Sequence, residues 1–192
     1  MGKSDEQKSS FNEIFTQKLL ETRTIILSGS IDKELANKII NQLLILEGLS
    51  NDPIRIMIDS PGGDVDAGYA IFDMVRFIKP KVIMIGMGLV ASAAALVLLA
   101  VPASDRVGLP NSRYLIHQPL LGGVFRGVAS DIEIEAKEIE KCRNKINQLI
   151  AKQTKKSIKT VEKDTDRDFW MDSSEAVEYG LISKVVTKAS EL

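Results

Sequence analysis

The sequence predicts an α/β protein in which a largely parallel sheet is covered by helices. Three observations carry this reading: a strand followed by a helix recurs along the chain, the strands are short apolar runs, and the helices repeat apolar residues at helical spacing. Parallel neighbours need a crossover of helix length between them, which each unit supplies.

Taken in order, a polar leader over residues 1–17 runs into Phe11 to Leu20, where Phe11, Ile14, Phe15 and Leu19 predict a short amphipathic helix. Residues 18–192 then read as one folding unit, since 192 residues suffice for one α/β domain and are too few for two ordinary ones. Thr24 to Leu27 forms the first strand. Asp32 caps a helix carrying Leu35, Ala36, Ile39, Ile40, Leu43 and Leu44, with Gly48 expected beyond its end. The unit repeats as strand Ile54 to Ile58 with a helix from about Asp64 to Ile78, and as strand Val82 to Met87 with a helix Ser92 to Ala100. Tyr114 to His117 supplies another strand, and Ile182 to Val186 is a weaker last one because Ser183 and Lys184 interrupt it. Between them, Asp131 to Ile150 reads as a helix whose stripe of Ile132, Ala136, Ile139, Cys142, Ile146, Leu149 and Ile150 packs against the body.

Composition excludes several classes of function. A formal net charge of -1 argues against a dominant role on nucleic acid or at a membrane surface. The single cysteine, Cys142, has no internal disulfide partner, and a cytoplasmic setting fits. Met1 to Ser10 lacks the apolar run of a signal peptide, and Glu6 stands where a myristoylation signal wants Ser or Thr. The uncharged stretch Val82 to Ala103 is long enough to prompt a membrane reading, but Gly86 and Gly88 divide it into a buried strand, a turn and a buried helix. No membrane span is expected.

The only histidine is His117, so a histidine-ligand metal cluster is excluded and any histidine base must be that residue. Ser92 stands at the start of a buried helix among Ala91, Ala93, Ala94 and Ala95, where small side chains leave room for a carbonyl and unpaired N–H groups favour an oxyanion. Taken alone, Ser92 reads better as an N-cap and His117 better as a structural histidine than as catalytic groups. Ser60-Pro61-Gly62-Gly63-Asp64 joins a strand to a helix, either as a tight turn or as a loop presenting backbone N–H groups, and it matches neither the Walker nor the dinucleotide pattern. The G-x-S-x-G elbow of α/β-hydrolases is absent around Ser92.

In combination these segments resemble the Clp protease proteolytic subunit family. Ile58-Asp59-Ser60-Pro61-Gly62-Gly63, Ala91-Ser92, Pro110 to Pro119, Asp166-Arg167-Asp168 and Glu175 to Leu181 occur in that family's order and at compatible spacing, over most of the chain from Lys18 onward. The resemblance implies a crotonase-like fold of repeated strand-helix units with a projecting handle at approximately residues 120–160. It also implies a serine endopeptidase in which Ser92 is the nucleophile, His117 the general base and then acid, and Asp168 the residue that orients the imidazole. Backbone N–H groups of Gly63 and Ala93 would form the oxyanion hole, and Gly122 and Gly123 would line the substrate path.

The same resemblance implies a homo-oligomer of two stacked heptamers, or a mixed ring with a paralogue. An AAA+ unfoldase partner would feed it unfolded polypeptide. ATP would be used by that partner, so no cofactor or metal is expected in this chain. Three departures from the family pattern stand out: Ala93-Ala94 replaces methionine-glycine after the nucleophile, the leader lacks the proline-containing hairpin, and Arg55 and Met57 replace aromatic residues of the apical cleft while Phe77 is retained. Two alternatives therefore accompany the active peptidase: a weakly active or structural subunit of a mixed ring, and an acyl-CoA enzyme of the crotonase type, which would leave the Ser-His-Asp set unexplained.

Overall fold

The computed structural model describes residues 14–120 and 127–192. Residues 14–21 are helical, and the chain then enters β1 (Thr24–Ser28), α1 (Lys33–Leu49), β2 (Ile54–Ser60), α2 (Val65–Phe77), β3 (Val82–Ala91) and α3 (Ala93–Leu98). β4 (Arg106–Gly108), β5 (Arg113–Ile116), α4 (Ala129–Thr154), α5 (Ile158–Asp164), β6 (Phe169–Asp172), α6 (Ser173–Tyr179) and β7 (Lys184–Val185) follow. The sheet order is β1-β2-β3-β4-β7, with β5 pairing β3 and β6 pairing β5. Every pairing is parallel except β5 with β6.

The sheet forks at β3, and the fork positions the site. The first half of β3 pairs β4 through Met84, Ile85 and Gly86, and the second half pairs β5 through Leu89, Val90 and Ala91. Between these halves Ile58 of β2 faces Gly86 while Ser60 faces Val90, so two steps along β2 match four along β3. Gly88 absorbs this bulge at φ 57°, and the Asp59 carboxylate accepts the Leu89 N–H at 3.0 Å to close it. Gly86 and Gly88 therefore lie inside one ten-residue strand and do not end it as expected. The physical reason is that this bulge, as a turn often does, uses a residue free to take positive φ.

The caps agree with the sequence. Asp32 accepts the Leu35 N–H at 2.8 Å and Asp64 accepts the Ala67 N–H at 2.7 Å. Gly48, expected beyond the end of α1, is its penultimate residue, because the helix runs on to Leu49 and Ser50 is its C-cap. The helix expected over Ser92 to Ala100 spans only Ala93–Leu98, and the last strand only Lys184–Val185.

α4 differs most from expectation. Of its apolar stripe only Ile146 and Ile150 are fully buried, together with Asn147 and Thr154, whereas Ile132 is exposed. The C-terminal half of the helix packs on the body and the N-terminal half extends past it. Arg106, fully buried, binds the ends of two helices by donating from Nη2 to the Gln153 and Gly180 carbonyls at 3.0 and 3.3 Å. Burial lowers its pKa to about 10. Among the described residues no helix is long and apolar enough to cross a membrane.

Candidate active site

β3 ends at Ala91, and Ser92 holds the turn into α3. Its backbone takes φ 56° and ψ -122°, a combination L-residues rarely adopt, and its side chain makes no capping hydrogen bond. The N-cap alternative therefore fails: a capping serine has extended backbone and spends its oxygen on the helix. The Ser92 N–H donates to the Leu115 carbonyl at 2.9 Å, tying the elbow to β5. α3 behind it is buried along its whole length, so the elbow has a rigid base.

His117 follows the end of β5, and Asp168 precedes the start of β6. The antiparallel register places Ile116 opposite Phe169, so the next pair outward is His117 with Asp168. The imidazole Nε2 lies 2.8 Å from Ser92 Oγ, and Nδ1 lies 3.0 Å from Asp168 Oδ1. With its proton on Nδ1, the ring donates to the carboxylate and accepts from the serine hydroxyl, the arrangement needed to withdraw the hydroxyl proton. The histidine side chain is 17% exposed and the aspartate 62%, so the carboxylate is hydrated on one side and its charge partly screened.

Gly62 and Gly63 have φ of 88° and 148°. Gly63 forms a parallel bridge with Ile31, in which the Ile31 N–H donates to the Gly62 carbonyl and the Asp64 N–H to the Ile31 carbonyl, both at 2.8 Å. In such a bridge the central residue's own N–H points to the other side. Among the described residues neither that N–H nor the Ala93 N–H at the start of α3 donates to a backbone carbonyl outside its own element, and both belong to segments packed at the elbow. Ala94, a departure from the family pattern, is fully buried in the core. A recess of about 20 Å³ beside Ser92 is lined by Val65, Ala93, Leu96, Ile116, Ile146 and Ile150 among others, so the wall nearest the serine is apolar.

The structure thus brings Ser92, His117, Asp168, Gly63 and Ala93 together, whereas Gly122 and Gly123 lie outside the described residues. A family model described as Clp protease matches residues 6–189. The chain belongs to the Clp protease family. ATP-dependent Clp protease proteolytic subunit 2 of Treponema pallidum (strain Nichols) is 60% identical over 180 residues, covering 93% of this chain and 89% of that protein. Subunit 3 of Rhizobium etli (strain ATCC 51251 / DSM 11541 / JCM 21823 / NBRC 15573 / CFN 42) is 48% identical over 174 residues, covering 91% of this chain and 89% of that protein. The solved structure of a ClpP1 point mutant from Listeria monocytogenes superposes with a TM-score of 0.84 at 48% identity, over 92% of this chain and 98% of that one.

As a Clp protease family member the chain is a serine peptidase with the ClpP-like α/β fold. Cys142 is a poor rival nucleophile, because burial first and the nearby Asp66 charge second push its thiol pKa up and disfavour the thiolate. Sequence reading places Asp59 and Gln118 within motifs but gives them no role, and it misses Thr165 and Asn147 behind the His-Asp pair. The one available signal for Asn147 is a polar residue between Ile146 and Ile150 on the packed face of α4.

A second groove lies on the far side of the sheet, about 200 Å³ in volume and lined by Thr24, Arg55, Met57, Ile85, Leu109 and the C-terminal residues Val186 to Ala189 and Leu192. Arg55 donates to the carbonyl of Thr22, just before the start of β1, at 2.9 Å. Phe77 is exposed and lies outside this groove's lining.

Proposed function

We propose that this chain is an active peptidase subunit that hydrolyses peptide bonds of unfolded polypeptides, with Ser92 as nucleophile, His117 as general base then acid, and Asp168 orienting the imidazole. The observation that carries the reading is the unbroken relay from Ser92 Oγ to His117 Nε2 at 2.8 Å and from His117 Nδ1 to Asp168 at 3.0 Å.

His117 Nε2 takes the hydroxyl proton as Ser92 Oγ bonds to the substrate carbonyl carbon, and the carbonyl electron pair moves onto oxygen. The Gly63 and Ala93 N–H groups receive that oxyanion; a comparable donor in another enzyme is worth about 3 to 4 kcal/mol. The imidazolium passes its proton to the departing amine as the C–N bond breaks. Water, deprotonated by the same imidazole, then releases the acyl group from Ser92 and returns the proton to its hydroxyl.

The wider assembly is part of the same proposal: two stacked heptamers in the cytoplasm, the projecting half of α4 serving as the handle within residues 120–160, and an AAA+ unfoldase that spends the ATP. The apolar groove at Met57, Ile85 and Leu109 supports docking of such a partner on the outer face. Relatives numbered 2 and 3 support a second reading, a ring mixed with a paralogue.

The test treats purified protein with a fluorophosphonate, locates the adduct by mass spectrometry and records native mass, with Ser92→Ala and His117→Ala alongside. Labelling confined to Ser92 and lost in both variants is expected. A large intact ring that never labels would sink the autonomous peptidase in favour of a structural subunit.

A further inference from the structure

We propose that Asn147 is a positioning residue that ties α4 to the His117-Asp168 pair and holds that pair at hydrogen-bond distance. Asn147 is 1% exposed and stands on the packed face of α4 between Ile146 and Ile150, where a leucine, which shares its branching, would bury apolar surface without leaving a polar atom behind. Its Nδ2 has no partner among the described residues, a destabilising arrangement in a packed core. The one side-chain hydrogen bond it makes among the described residues leads to the site.

That contact is with Thr165, itself fully buried, whose Oγ1 lies 2.8 Å from both Asn147 Oδ1 and the Val161 carbonyl, so that its single proton is shared between the two acceptors. The Thr165 carbonyl accepts the Gln118 N–H at 2.7 Å, and the Gln118 side-chain amide donates to the Asp166 carbonyl at 2.6 Å. Gln118 follows His117, and Asp166 lies two residues before Asp168. The His-Asp pair is therefore flanked on one side by the β5-β6 rung joining Ile116 to Phe169, and on the other by the Gln118 bonds to Thr165 and Asp166. The first flank is a regular ladder. The second is irregular chain, and Asn147 is its buried side-chain link to a long helix.

An exposed carboxylate depends on such a link. With Asp168 62% exposed, hydration competes for its oxygens, and the Nδ1 contact persists only where the backbone on both sides is fixed. Neither Asn147 nor Thr165 touches Ser92, His117, Asp168 or the amides of the oxyanion hole through a hydrogen bond, so their effect passes through Gln118 and Asp166.

The proposal rests on the peptidase reading, and the experiment separates the two. Peptide hydrolysis is measured for the wild type, Asn147→Leu, Thr165→Val and Thr165→Ser, with each rate divided by the concentration of sites that a fluorophosphonate titrates and each native mass recorded. Asn147→Leu and Thr165→Val are expected to lower kcat per titrated site on the order of tenfold at unchanged KM, while Thr165→Ser, which keeps the hydroxyl, retains the wild-type rate. The Asn147→Leu/Thr165→Val double variant is expected to lose no more than either single one. If kcat per site stays at the wild-type value and only Tm or the yield of folded protein falls, Asn147 is structural packing and the proposal is overturned. Should Asn147→Leu fail to fold, the comparison of Thr165→Val with Thr165→Ser decides alone, and equal rates overturn it. A wild type that neither labels nor cleaves overturns the peptidase reading and this proposal with it.

Discussion

Gly62 lies so close to Ser92 that a β-carbon added at residue 62 would stand 2.7 Å from Ser92 Cβ, as well as 2.6 Å from the Ala91 carbonyl oxygen and 2.9 Å from the Ala93 nitrogen. The loop bearing one open amide is therefore packed against the elbow bearing the other, and only hydrogen fits between them.

Gly62→Ala should accordingly separate the two amides. Its φ of 88° adds strain of roughly 1 kcal/mol or more to the steric conflict. Fluorophosphonate labelling of Ser92 is expected to slow on the order of 100-fold, the scale of one lost oxyanion donor. Gly48→Ala is the control: residue 48 is helical, a β-carbon there meets nothing within 4 Å, and stability should rise by up to about 1 kcal/mol. Labelling kinetics and thermal melts of both variants check the contrast.

Tyr114 fills the space that side chains at Gly86 and Gly108 would occupy. A methyl at residue 86 would stand 2.5 Å from the phenol oxygen, so Gly86→Ala should destabilise the fold by about 1 to 3 kcal/mol. Adding Tyr114→Phe removes that oxygen and should recover part of the loss, which a double-mutant cycle by chemical denaturation measures.

The same phenol predicts an alkaline limit to stability. Burial raises the Tyr114 pKa from 10.0 to about 12. Because the folded-state value lies above the unfolded one, this contribution is whole below pH 10 and is lost as pH rises toward 12, an effect on the order of 2 to 3 kcal/mol. Tyr114→Phe should flatten that part of the stability profile, as denaturant melts at stepped pH would read directly.

Asp168→Asn should leave the backbone in place while offering Nδ1 an amide that can stabilise the wrong tautomer. A fall in kcat of up to about 10⁴-fold is expected by analogy with a buried triad, and a smaller one here in proportion to the exposure of Asp168. Steady-state peptide hydrolysis measures it.

Much of this architecture is legible in the chain itself. Asp32 and Asp64 announce their helices by capping chemistry, and the buried runs Ile54 to Ile58 and Val82 to Ile85 announce the central strands. Gly88 is ambiguous because a bulge and a turn both use positive φ, and the difference lies in Asp59, which bonds Leu89 from a distant part of the chain. β6 is hidden for another reason: of its four residues only Met171 is buried, so no alternation marks it. The exposed half of α4 carries Ile132 at a position indistinguishable by period from the packed Ile146 and Ile150.

The site divides in the same way. Family order singles out Ser92, His117 and Asp168, but the residues alone leave Ser92 as a helix cap until its φ of 56° and missing cap bond are seen. Asn147 and Thr165 belong to no motif, because what distinguishes them is burial across a tertiary contact, which local spacing does not encode.

The antiparallel pairing of β5 with β6 also sets the order in which the working parts exist. Ser92 and His117 lie in the first two thirds of the chain, yet the carboxylate opposite the imidazole arrives only with residue 168 of 192, carried by a strand that must reverse direction to reach it. A polypeptide still being synthesised, or one cut short before β6, holds a serine and a histidine without the group that sets the ring's tautomer. With the proposed triad, the capacity to cleave is acquired late, when most of the chain is available to fold around it.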